Sequence, residues 1–203
     1  MEYPGTAYVR APLRWAGSKR KSLPRLIGEL PYTFTNYIEP FAGSACLVFA
    51  AIEAKAVIGD INPLLISFYE DLRDDPAGIH RLYSALEKSP IEYYRIRDSF
   101  NGSKRSLVRS AQFLYLNRHC FNGIYRVNAS GKFNVPWGGD NVGAPLTLNE
   151  LNSASRRLKN ATLACGDFED IIAAHVDEDS FLFLDPPYAS DESRVFREYH
   201  EDS

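Results

Sequence analysis

The sequence predicts an α/β fold, a parallel sheet interrupted by a mainly helical insertion, on three observations. Residues 37–60 alternate strand-like, glycine-containing and helix-like segments in the order of a βαβ unit. Phe181 to Leu184 form a short apolar run that Pro186 and Pro187 must terminate, because proline cannot donate to a sheet ladder. Between these lies a long stretch with helical periodicity and repeated helix-start signals.

With 203 residues, 45% of them hydrophobic, the chain can bury one core and carry an inserted subdomain. Its longest apolar run, Ala45 to Ile52, is too short to cross a bilayer, and no basic-then-apolar signal opens the chain, so the expected compartment is cytoplasmic. Cys46, Cys120 and Cys165 lack CxxC spacing and the four histidines are scattered. Neither a disulfide framework nor a metal site is indicated. The net charge of −3 hides a segregation: residues 10–25 and 101–139 carry Arg and Lys with no acid, and the remainder is acidic. That pattern fits a basic footprint on an acidic enzyme body, with a solvated helix face as the alternative.

Taken in order, the first element is a loop, Pro12 to Lys19, that runs into a helix from about Ser22 with Pro24 in its first turn. Trp15 and Lys19 in that loop suit stacking on a planar ring and pairing with a carboxylate, or else a plain surface turn. Tyr37 to Phe41 reads as a strand, Ala42 to Ala45 as a tight turn, Cys46 to Ala54 as an apolar helix, and Ala56 to Asp60 as a second strand ending in an acid. An acid in that position accepts hydrogen bonds from ribose hydroxyls in nucleoside-binding βαβ units. Gly43 alone stands in the turn where pyrophosphate cradles need more glycines, and Glu39 sets a carboxylate nearby. The site therefore suits a nucleoside with a cationic tail. S-adenosylmethionine has that charge pattern, whereas NAD and ATP do not.

Three helix starts then share one device: Asn62-Pro63, Asp75-Pro76 and Ser89-Pro90 each place a capping side chain before proline. A basic helix over 104–118 follows, with Leu107, Ala111 and Leu114 expected inward. Residues 117–137 describe a β-hairpin around Ala129-Ser130-Gly131. Such a ribbon fits the major groove of DNA, the alternative being an ordinary surface hairpin. Thr147 to Glu150 form a capping box for a helix through Leu158, and Thr162 to Cys165 a third strand ending at Gly166-Asp167-Phe168. Asp185 precedes a proline and is biased to extended backbone, so its carboxylate is expected at the same sheet edge as Gly43, Asp60 and Asp167.

Six segments carry a resemblance: Trp15 to Lys19, Glu39 to Gly43, Gly59 to Asn62, Leu116 to Gly123, Lys132 to Pro136 and Asp185 to Tyr188. Together they resemble the Dam-type, D12-class adenine-N6 DNA methyltransferases over nearly the whole chain. The resemblance implies a Rossmann-like S-adenosylmethionine-dependent methyltransferase domain over 1–64 and 147–203. It also implies a target-recognition domain over 65–146 that bears the hairpin. Cofactor contacts are implied at Trp15, Lys19, Glu39, Phe41, Gly43, Asp60, Asp167 and Asp185, and catalysis at Asp185, Pro186 and Tyr188. DNA contacts are implied at Arg118, Phe121, Asn122, Ile124, Arg126, Asn128 and Pro136. The reaction implied is methyl transfer to adenine N6 in duplex DNA, at GATC, after base flipping, in a restriction-linked, regulatory or phage-borne setting. Ala45 and Ser18 stand where the family has glycines, which predicts slightly hindered backbone approach to the cofactor. Because the sequence ends at Ser203, the 181–184 strand is expected at a sheet edge, covered by a second copy, a partner or in part by Val195, Phe196 and Tyr199. Two other readings use the same motifs: a methyltransferase on RNA or a protein amide, and a DNA-binding remnant without catalysis.

Overall fold

The computed structural model describes residues 8–139 and 144–187. Tyr188, and the cover expected from Val195, Phe196 and Tyr199, lie outside the described residues. Four parallel strands, β1 (Asn36–Glu39), β2 (Lys55–Asp60), β3 (Ala161–Cys165) and β4 (Ser180–Leu182), form one sheet in the order β3-β2-β1-β4. The ladders pair Ile38 with Val57, Ile58 with Leu163 and Ile38 with Leu182. Beyond β4, Phe183 N–H still donates to the Ile38 carbonyl at 2.9 Å. Among the described residues β4 is an edge strand, and Leu184 beyond it is exposed.

The chain moves from β1 out to β3 and then returns to the far side of β1. This reversal opens a crevice at the C-terminal ends of β1 and β4, where open α/β sheets bind ligands. Strand alternation divides the apolar side chains between the two faces. Tyr37, Ala56 and Ile58 join the large core, whereas Ile38 and Val57 pack with Ile171 on the other face.

Before the sheet, α1 (Leu23–Gly28) starts with Pro24 in its first turn, as expected. α2 (Cys46–Ala51) joins β1 to β2 and is nearly all buried; it is three residues shorter than its apolar run suggested. Between β2 and β3 run α3 (Pro63–Asp74), α4 (Pro76–Ser84), α5 (Pro90–Gly102) and α6 (Leu107–His119). Asn62, Asp75 and Ser89 each accept a backbone N–H at a helix start, the function their position before proline predicts. These helices share a continuous core with the sheet: Phe68 packs against Tyr69 and Phe113, and Tyr69 against Phe49. α7 (Leu148–Leu158) begins with the full Thr147–Glu150 capping box.

Three features differ from the sequence reading. α6 is buried on all sides from Ser110 to His119, because α3, α4 and α5 surround it, so a single inward stripe does not describe it. The hairpin is sparsely paired, with isolated antiparallel bridges at Cys120–Trp137 and Val127–Phe133 in place of a ladder. α8 (Phe168–His175) follows β3, capped by Asp167, and packs Ile171 against the sheet where no helix was expected.

Candidate active site and hairpin

A cleft of about 410 Å³ opens at the crevice between β1 and β4, within the size range of small-molecule sites. It gathers every cofactor candidate named from the sequence: Trp15, Lys19, Glu39, Phe41, Gly43, Asp60, Asp167 and Asp185 all line it, as does Pro186.

The turn after β1 is its floor. Gly43 has φ +48, and a Cβ there would lie 2.7 Å from Trp15 Cδ1, so glycine is required by both conformation and space. The turn is fully braced: Gly43 N–H donates to Asp60 Oδ2 at 3.0 Å and its carbonyl accepts from the Tyr69 hydroxyl at 2.7 Å. Asp60 Oδ1 accepts from Asn62 N–H at 2.9 Å, so this carboxylate is held by backbone on both oxygens. Ala45 also has positive φ (+47), a conformation in which its Cβ is strained. Ser18 and Ser44 hydroxyls are hydrogen-bonded at 3.0 Å, which ties the Trp15 loop to the turn.

The cleft is polar at one end and aromatic at the other. At the polar end, Lys19 Nζ lies 2.8 Å from Asp185 Oδ2, both side chains about a quarter exposed. Glu39 is buried and accepts from the Tyr37 hydroxyl at 3.0 Å. Burial, reinforced by the nearby Asp185 charge, pushes the Glu39 carboxyl up to about 8 against the hydrogen bond that lowers it. Burial therefore works against the negative charge expected at Glu39. At the other end the Phe41 and Phe168 rings meet at 5.1 Å. Phe168 was not singled out as a site residue; its place directly after Asp167, at a strand end, was the available signal.

On the hairpin, Phe121, Asn122, Arg126 and Pro136 are exposed. Ile124 is half-buried, and Asn122 adopts positive φ (+53) beside Gly123. Arg126 Nε donates to Asn134 Oδ1 at 2.9 Å, which aims the guanidinium. Asn128 is exposed, but its carboxamide oxygen accepts from Ser130 N–H, the Ser130 hydroxyl and Lys132 N–H, so it organises the hairpin turn. Arg118 is a correction. It lies 3% exposed inside α6, donates to the Ala144 carbonyl at 3.0 Å, and is lowered to about 10 by burial and by Arg14. A guanidinium so enclosed is a structural group in this structure and does not present itself to DNA.

The family model for D12 class N6 adenine-specific DNA methyltransferases matches residues 15–203. The chain belongs to that family. Among curated relatives, a type II methyltransferase, M.MjaIII, of Methanocaldococcus jannaschii is 36% identical over 89% of this chain and 69% of that protein. A DNA adenine methylase of Vibrio cholerae is 35% identical over 89% of this chain and 65% of its own length. The retron Ec67 DNA adenine methylase of Escherichia coli is 32% identical over 94% and 66%. The chain thus spans about two thirds of these relatives. D12 methyltransferases act on DNA with a methyl donor, and among the described residues no helix is long and apolar enough to cross a membrane.

Proposed function

We propose that the chain transfers the methyl group of S-adenosylmethionine to the N6 amino group of an adenine flipped out of duplex DNA, at a short site best represented by GATC. The observation that carries this reading is the polarity of the crevice cleft. Its aromatic end at Phe41 and Phe168 suits a purine, and Asp60 and Asp167 stand where hydroxyl and amino groups would need acceptors. Glu39, buried and neutral alone, becomes a favourable partner for a cationic tail. These residues fit the cofactor. Bound there, it supplies a methyl group activated by attachment to a sulfonium.

The adenine amino group is a weak nucleophile because its lone pair is delocalised into the ring. In this reading Asp185 and the Pro186 carbonyl accept the two N6 hydrogens and draw the nitrogen towards tetrahedral geometry, its lone pair turned to the donor. The nitrogen–carbon bond would form as the carbon–sulfur bond breaks, the bonding pair leaving on sulfur as a neutral thioether, and the nitrogen would then give up one proton to solvent. Lys19 holds the Asp185 side chain in place meanwhile. The contribution is positioning and electrostatics. Tyr188 is assigned to stacking on the flipped base, and Phe121 to the space the base vacates.

Residues 65–146 serve as the target-recognition segment, with Asn122, Ile124, Arg126 and Pro136 towards the bases. Arg126 is exposed and steadied by Asn134, the state that bidentate reading of guanine requires.

The test is transfer of labelled methyl from S-adenosylmethionine to unmethylated duplexes with and without GATC. GATC-dependent label at adenine N6 supports the whole reading. Label on every duplex retains the chemistry and removes the site assignment. A folded protein that labels neither overturns the reading in favour of a DNA-binding remnant.

A further inference from the structure

Tyr125 stands at the junction of hairpin and cleft, and neither base reading nor methyl transfer explains it. Its ring lies parallel to the Trp15 indole, centroids 5.3 Å apart and planes 8° from parallel. Phe113 closes edge-on against both rings. The five-membered ring of Trp15 in turn abuts Gly43, the floor of the cleft. A second, polar route runs in the same direction. Tyr125 and Asn62 line one surface, Asn62 N–H donates to Asp60, and Asp60 accepts from Gly43 N–H.

The loop that carries Trp15 is also fastened to the root of the hairpin. Arg14 N–H donates to Asn117 Oδ1 at 2.8 Å and the Asn117 amide donates back to the Arg14 carbonyl at 2.7 Å. Extended backbone turns successive side chains to opposite sides, so with Tyr125 packed inward its neighbour Arg126 faces solvent. The residue beside a base reader is therefore a wall support of the cleft.

We infer that Tyr125 is a positioning residue that links the two sites: by holding the Trp15 indole against the Gly43 turn, it makes cofactor affinity depend on the seating of the hairpin on duplex DNA. The inference rests on the assignments of cleft and hairpin made above. Linkage is reciprocal, so the duplex must tighten the cofactor by the same factor as the cofactor tightens the duplex.

The experiment is calorimetric titration of the full chain with S-adenosylhomocysteine, with and without a GATC duplex, for wild type, Tyr125→Phe, Tyr125→Leu and Tyr125→Ala. In wild type the duplex tightens the analogue by about tenfold, within the usual range of coupling. Tyr125→Phe keeps the ring stack and that ratio. Tyr125→Ala and Tyr125→Leu bring the ratio close to one, the leucine variant serving as the folded control through its unchanged melting temperature. A purely structural residue would lower the melting temperature and leave the ratio intact, and that result overturns the inference. So does wild type that binds both ligands with no coupling. Wild type that binds neither overturns the site assignments themselves, and the inference with them.

Discussion

The cleft at the sheet edge and the hairpin from Phe121 to Trp137 meet at Trp15 but are held by different means. In the cleft, Gly43 N–H donates to Asp60 and the Tyr69 hydroxyl donates to the Gly43 carbonyl, Ser18 is tied to Ser44, and Lys19 to Asp185. On the hairpin, two isolated bridges, the Asn128 turn and the α5 side chains Tyr93 and Asn101 hold the backbone, while Phe121, Asn122, Arg126 and Pro136 stay exposed. A site for one small ligand gains from being formed in advance, because nothing has to be reorganised at the moment of reaction. A reader of base edges needs side chains with unmet hydrogen-bonding capacity. Substitutions in the cleft should therefore disturb chemistry and stability together, and substitutions of the exposed hairpin side chains should disturb the choice of sequence alone.

Asp185→Asn is the strongest test on the cleft side. Loss of the carboxylate removes an acceptor for the amino group and the partner of Lys19, so methyl transfer should fall by about 10³-fold, the scale seen when one preorganised polar group is deleted. The duplex should bind as before. If DNA binding fell in parallel, the separation between cleft and hairpin would be lost.

Glu39 is the next. Its carboxyl is held at about 8 by burial, well above the value for an unfolded chain. A carboxyl raised on folding contributes its stability fully below the unfolded value and loses it as pH rises through the folded one. Glu39→Gln, which stays neutral, should thus be the more stable form at pH 9 by a few kcal/mol at most, an advantage that shrinks towards pH 5. Melting curves of both chains across that range supply the comparison. The opposite sign governs the cofactor: a cation favours ionised Glu39, so affinity should rise with pH until about 8 and then level off. An affinity flat across this range would remove Glu39 from the cationic end.

Gly43→Ala brings both penalties of the turn into play. Positive φ costs about 1–2 kcal/mol for a residue with a Cβ, and the added atom would meet Trp15 at 2.7 Å. The indole must move, so analogue affinity should fall by at least about tenfold, alongside a lower melting temperature. Arg126→Ala is the counterpart on the hairpin. It should cost about 1–3 kcal/mol of discrimination against one altered base pair, with a melting temperature close to wild type because the side chain is exposed. Competition binding with single-substituted duplexes measures it. A uniform loss over all duplexes would make Arg126 a phosphate contact instead.

How far the sequence revealed these two regions follows the same divide. The caps at Asn62, Asp75, Ser89 and Thr147 were legible because a capping side chain beside its helix start is a local interaction. The convergence of Gly43, Asp60, Asp167 and Asp185 was legible because parallel strands must end at one edge. Arg118 was not: a basic residue in a basic helix gives no sign that three other helices will enclose it. The Trp15–Tyr125 stack was equally hidden, since it joins residues far apart in the chain across Phe113 of α6. Nor did sequence patterning foresee α8, whose buried Ile171 finds its partners only once Ile38 and Val57 are in place.

Ala45 is where local and tertiary terms nearly cancel, and it gives the smallest expected effect. The residue stands where the family resemblance leads one to expect glycine, and at φ +47 it carries the strain glycine would avoid, about 1 kcal/mol. Yet it is completely buried, so its methyl group contributes about 0.8 kcal/mol of apolar burial. Glycine would also enlarge the unfolded ensemble, which disfavours folding by about 0.4–1 kcal/mol. Ala45→Gly should therefore leave stability within about 1 kcal/mol of the parent, on the destabilising side. The denaturant midpoint measures it. A clear gain in stability would mean that strain in the turn outweighs its packing, and that the cleft floor is held under tension by the α2 helix behind it.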